Sequence, residues 1–78
     1  MTPQELLKQN IDKAWNEYVE IHKEEIESGY DDAMDGFERK QAEGFALGLE
    51  FAYQIIFDEY YTTDLDFDAN AYEQSLEQ

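Results

Sequence analysis

Residues 43–57 read EGFALGLEFAYQIIF, and only Glu43, Glu50 and Gln54 among them are strongly polar. A helix written this way is apolar nearly all round, so it must be covered on more than one side. The rest of the chain has to supply that cover, or a second chain must. With 78 residues there is room for one domain, close to the lower limit at which a single core offsets the lost chain entropy. Aromatic residues make up 15% and hydrophobic residues 42%, which is far from the composition of a disordered acidic tail.

The flanking segments read as helices. Thr2-Pro3-Gln4-Glu5 has the form of a capping box, with threonine at the N-cap, proline at the first helical position and glutamate three residues after the cap. Leu7, Ile11, Ala14/Trp15, Tyr18, Ile21/His22 and Ile26 then recur at steps of three and four, and the opposite face carries Lys8, Asp12, Lys13, Glu17, Glu20, Glu24 and Glu27. The spacing predicts a first helix over 3–28, stopped at Gly29. A second helix is expected over 31–61. Asp31, Asp32 and Asp35 lie at its positive end, and its stripe runs through Met34, Phe37, Gln41, Phe45, Leu49, Ala52/Tyr53, Ile56 and Tyr60. Two helices this long joined by two or three residues fold back as an antiparallel hairpin. An acidic loop over 62–68 holding Leu65 and Phe67 should lead, through Asp68 as a cap, into a short helix over 69–77. The fold class expected is therefore all-α, one domain: a hairpin of two long helices plus a short C-terminal helix, dimerising into a bundle.

Glycines inside a helix cost about 1 kcal/mol each relative to alanine. Gly44, Gly48 and Ala52 stand at steps of four and form a smooth strip, with Gly36 expected on the same line. Such a strip admits a second backbone or a large ring, with Trp15 a candidate occupant. Self-association is accordingly assigned to Gly44, Phe45, Gly48, Leu49, Ala52, Tyr53 and Ile56.

Chemistry by side chains has little support. One histidine, Ser28 and Ser75 and no cysteine leave no nucleophile with a matched base. His22 lies at the edge of the first apolar stripe, as a packed residue would. No Glu-x-x-His pair exists, since Val19 is three residues before His22. The pairs Glu17/Glu20, Glu24/Glu27 and Asp35/Glu38 read as solvated helix faces. Asp64, Asp66, Asp68 and Asn70 fit the first ligand positions of an EF-hand loop, but Ala69 and Ser75 stand where glycine and the closing glutamate belong. No enzyme, metal or cofactor is expected.

The charge remains. The formal net charge is −15, and residues 41–78 contain no lysine or arginine at all. Such a field repels nucleic acid and anionic lipid and attracts basic protein surfaces. The acids are expected at two poles. Glu24, Glu27, Asp31, Asp32, Asp35 and Glu38 surround the hairpin turn, and Asp58, Glu59, Asp64, Asp66 and Asp68 lie at the far end, with Tyr30, Tyr60 and Tyr61 beside them as rings suited to arginine and lysine. Two copies, at twice the charge over about 45 Å of helix, approach the one charge per ~1.7 Å of duplex DNA.

In this character the chain resembles the small phage-encoded helical proteins that mimic DNA and block host defence or replication enzymes, and the stretch FERKQAEGFALGLEFAYQII is similar to those of small phage proteins. The resemblance covers length, helicity and charge, with no residue-by-residue correspondence. It implies an inhibitor that binds a basic nucleic-acid-binding protein, contacts no nucleic acid itself and works in the host bacterial cytoplasm. No run approaches the ~20 apolar residues of a membrane span, and MTPQELLKQN lacks a signal pattern. The other function compatible with the sequence is an adaptor acting through the apolar face around Phe45, Leu49 and Tyr53, with the acids serving solubility.

Overall fold

A computed structural model describes residues 1–30 and 33–77, except that of Ala33 and Asp35 only the backbone is described. The expected caps Asp31 and Asp32 lie outside the described residues, as does the side chain of Asp35. Three helices follow in order: α1 (Pro3–Glu27), α2 (Ala33–Phe57) and α3 (Ala69–Leu76). α1 packs along α2, and among the described residues α3 packs on α1 and not on α2. The molecule is a rod of 44 × 23 × 18 Å, as the two-helix hairpin demands.

α1 begins as the sequence predicts. Thr2 Oγ1 accepts from the Glu5 backbone N–H at 3.1 Å and donates to Glu5 Oε1 at 3.2 Å, so the glutamate meets the threonine hydroxyl rather than the N-cap amide. The helix ends in a Schellman motif. Tyr30 N–H reaches Glu25 C=O at 3.1 Å and Gly29 N–H reaches Ile26 C=O at 3.0 Å, with Gly29 at φ 73°. Tyr30 is left-handed as well, at φ 64°.

α2 stops at Phe57, four residues before the expected end. Asp58 takes φ 53°, a conformation that aspartate tolerates better than most residues, and its N–H closes on Gln54 C=O at 3.0 Å. The chain then turns and runs extended along α1, back toward the hairpin turn, over residues 60–68. Side chains alternate along this strap: Tyr61, Thr63, Leu65 and Phe67 are half-buried, while Thr62, Asp64, Asp66 and Asp68 are exposed. Asp68 caps α3 as expected, accepting from the N–H groups of Asn70 and Ala71 at 3.0 and 3.2 Å.

The core is thin. Its buried apolar residues are Ile11, Ala14 and Ile26 from α1 and Ala46 and Tyr53 from α2. The stripe on α1 is the predicted one. That on α2 is rotated: the face turned to α1 runs through Arg39, Ala42, Ala46, Leu49, Glu50, Tyr53 and Phe57, whereas Phe37 and Phe45, assigned to the core stripe, are 61% and 63% exposed. An all-round apolar helix has no phase set by hydropathy, and the polar groups set it here. Glu50 accepts from Trp15 Nε1 at 2.5 Å, and Tyr53 Oη accepts from Gln4 Nε2 at 2.7 Å. Tyr53 is fully buried in the chain's own core, so the self-association assigned to it does not hold.

Gly29→Ala meets no steric obstacle, since a Cβ there has open space around it, but the left-handed backbone remains. We expect a loss of about 1 kcal/mol, the left-handed penalty, measured as a lower urea midpoint with an unchanged slope.

Candidate functional site: an acidic face and a bare apolar face

The strap gives the molecule its acidic face. It is held by hydroxyls that donate to carboxylates. Tyr61 Oη and Thr63 Oγ1 both reach Asp12 Oδ1 at 2.7 Å, Thr62 Oγ1 reaches Glu50 Oε2 at 2.6 Å, and Tyr72 Oη donates to Glu27. Lys8 lies over the Tyr61 ring, and Lys23 over the rings of Phe67 and Tyr72, at 5.3 to 5.9 Å. Arg39 Nε donates to Glu25, which is buried, at 2.5 Å. Three of the five bases thus point into the chain's own structure, and exposed Lys13 and Lys40 remain on the surface.

The strap's direction revises the two-pole picture. Asp58 and Glu59 do stand at the end of the rod, where Gln4 Nε2 donates to Glu59 at 3.0 Å. Asp64, Asp66 and Asp68 do not join them. Tyr61 is level with Asp12 and Phe67 packs on His22, so these aspartates form a row running toward the hairpin turn. Extended chain spaces alternate residues about 6.6 Å apart. The outer face of α1 adds exposed Glu17, Glu20, Glu24 and Glu27. Glu38 is exposed on α2, and Asp31 and Asp32 lie outside the described residues. Among the tyrosines, Tyr60 is 74% exposed and Tyr30 half-exposed, its hydroxyl directed to Glu73 at 3.4 Å. Tyr61 is not available to a partner: it packs on Tyr53 and its hydroxyl is held by Asp12.

Sequence reasoning passed over Asp12 and Glu50, the acceptors that fasten the strap, although an acid inside an otherwise apolar run was the available signal for Glu50. His22 is a packing residue. Its ring lies between Tyr18 and Phe67, and burial, with Arg39 second, holds its pKa below the usual value against the pull of Glu25 and Glu43. Among the described residues no group of three His, Cys, Asp or Glu side chains comes together as a metal site. Among the described residues no helix is long and apolar enough to cross a membrane.

The other surface belongs to α2. On the side away from the strap, a shallow groove of about 540 Å³ has a floor of Ala14, Ile21, Ala42 and Phe45, with Glu17 and Glu38 at its rim. The glycine strip looks outward: a Cβ on Gly44 or Gly48 would meet nothing within 4 Å. Trp15, the expected occupant, is turned to Glu50 instead, and Gly36 lies off the strip, where an added Cβ would stand 3.6 Å from Glu25 Oε1. Phe37, Leu47, Phe51, Ile55 and Ile56 are exposed on the same helix. No protein-family model, curated protein or solved structure matches the chain.

The hydrogen bond to Asp12, with partial burial behind it, raises the Tyr61 hydroxyl to about 12. The neutral phenol is the form the fold prefers, so its stabilisation is complete below the ordinary tyrosine value near 10 and is lost as pH climbs through about 12. A phenolate absorbance titration should show a late step near 12 that Tyr61→Phe removes. Asp12→Ala, which strands both hydroxyls, should cost about 1–3 kcal/mol and open residues 60–68 to protease at neutral pH.

Proposed function

We propose that this chain is a non-catalytic acidic binding protein that occupies the basic surface of a nucleic-acid-binding protein and competes there with nucleic acid, acting in the cytoplasm of the cell that holds its target. The observation that carries this reading is the ordered row Asp64–Asp66–Asp68 on the outside of the strap, beside the glutamates of α1, on a chain whose bases mostly point inward. A carboxylate row fixed by a docked strap presents charge at defined intervals, which a flexible acidic tail does not. Rows of this kind favour arginine and lysine donors and oppose phosphate, so nucleic acid is the competitor and not the ligand. Tyr60, at the end of the rod near Asp58 and Glu59, offers a ring to a cationic side chain.

A second reading, an adaptor working through the apolar groove, is favoured by the exposed Phe45 and by the Ala14–Ile21–Ala42 floor beside it. The two differ in their response to salt. Binding through the carboxylate row weakens steeply as salt rises, because exposed pairs are screened within about 8 Å at physiological ionic strength. Binding through the groove does not.

Immobilised protein should retain from bacterial lysate a nucleic-acid-binding protein that duplex DNA displaces and that elutes sharply at moderate salt. The double variant Asp64→Asn, Asp66→Asn keeps the strap's shape and should weaken that binding several-fold, at about 0.2–1 kcal/mol per exposed pair, with a shallower salt slope. Retention that survives ~0.5 M salt and is unchanged by the double variant would replace this reading with the adaptor.

A further inference from the structure

We propose that the bare face of α2 is a self-association site, on which a second copy of this chain packs its own α2 antiparallel, with the two-fold axis at the level of Gly48.

Residues 44–52 read GFALGLEFA, and they read nearly the same backwards about Gly48. Phe45 mirrors Phe51, Leu47 mirrors Leu49, and Gly44 mirrors Ala52. The one unmatched pair is Ala46 with Glu50, and both of these are buried against α1 in the same chain. Within these nine residues the other mirrored pairs match in type, and of them Leu49 leans toward α1 whereas Leu47 is exposed. In an antiparallel pair related by a two-fold axis, a residue lies level with its mirror in the other copy, so a palindromic face is complementary to itself, as an isologous interface requires. Phe51 of one copy then lies level with Phe45 of the second, and Gly48 meets Gly48. Gly44 stands level with Ala52, leaving room for the backbones to close and for the rings to lie across them.

Area and charge agree. Phe37, Phe45, Leu47, Phe51, Ile55 and Ile56 are each between 48% and 65% exposed. Phe45, Leu47 and Phe51 lie inside the palindrome, while Ile55 stands level with Gln41, Ile56 with Lys40 and Phe37 with Glu59 of the second copy. At roughly 100 Å² of exposed surface apiece the six offer at most about 600 Å², against the ~800 Å² per partner of a standard interface. From Gly44 to Ile56 the one charged residue is Glu50, buried toward α1. The nearest others, Lys40 and Glu43, border Gly44 and Leu47 at one edge, so the centre of the face carries no charge on a chain that is acidic elsewhere. Two copies that repel each other over their other surfaces can meet here with ions only at the rim, where Lys40 of each stands level with Ile56 of the other. A core that, among the described residues, holds five buried apolar side chains leaves a chain of this size short of what it needs, and oligomerisation is a common remedy.

Sedimentation equilibrium of the intact chain tests this, with helicity followed by circular dichroism. A dimer is expected, and it should tighten as salt rises, because screening relieves the repulsion between like charges. That trend is opposite to the one expected for a basic partner, so failure of either proposal is distinguishable from failure of the other. Gly48→Leu raises helix propensity and adds apolar surface, yet it should raise the dimer dissociation constant about a hundredfold by blocking the close approach in both copies. Phe51→Lys should do likewise, by burying an unpaired charge in the apolar centre of the interface, level with Phe45 of the second copy. A chain that stays monomeric at millimolar concentration overturns the proposal, as does a dimer that Gly48→Leu leaves intact or strengthens while helicity is retained.

Discussion

The carboxylate of Glu50 is the group on which the arrangement of this chain turns. It is buried on α2 without a basic partner, accepting from Trp15 on α1 and from Thr62 at the start of the strap. A buried carboxylate is costly unless it is hydrogen-bonded, and hydrogen bonds to an ionised acceptor are about twice as strong as neutral ones. One side chain thereby joins all three parts of the fold. It fixes which side of α2 faces α1, and so which side is left bare.

The same solution recurs along the strap. A chain with many acids and few bases cannot neutralise its carboxylates by ion pairing, and tyrosine and threonine hydroxyls take the place of the missing cations. Asp12 serves two of them, and Glu27 and Glu59 each accept one. Hydroxyl donors satisfy the oxygens and leave the charge in place. Lys8 and Lys23, the lysines beside the strap, lie over aromatic rings of the strap and α3. Structural order and strong negative potential are compatible here for that reason.

Periodicity was enough for α1, whose stripe from Leu7 to Ile26 is the buried one, and capping chemistry was enough for Thr2, Gly29 and Asp68. α2 was legible as a helix and illegible in its rotation. Phe37, Phe45 and Ile56 have the hydropathy of core residues, and only the hydrogen bonds of Glu50 and Tyr53, contacts distant in sequence, decide against them. The end of α2 was hidden because Tyr60 continues the apolar spacing past Asp58, where a left-handed turn breaks it. Of the acidic surface, composition gave the amount of charge, and the alternation in DLDFD carried the geometry. A period of two at those residues marks extended chain with aspartates on one side, but its direction along α1 depends on Tyr61 finding Asp12.

The strap also has a place in the order of folding. α1 and α2 adjoin in sequence, so their hairpin can start at contacts near the turn such as Arg39 with Glu25, whereas Asp12 and Tyr61 must close a loop of nearly fifty residues to meet. An eight-residue helix is not stable alone in water, so α3 exists only while the strap is docked against α1. The strap and α3 should therefore act as one cooperative unit, opening well below the free energy of global unfolding and exchanging their amide hydrogens together. The spacing of the aspartate row is a property of that closed state and vanishes, with α3, each time the unit opens.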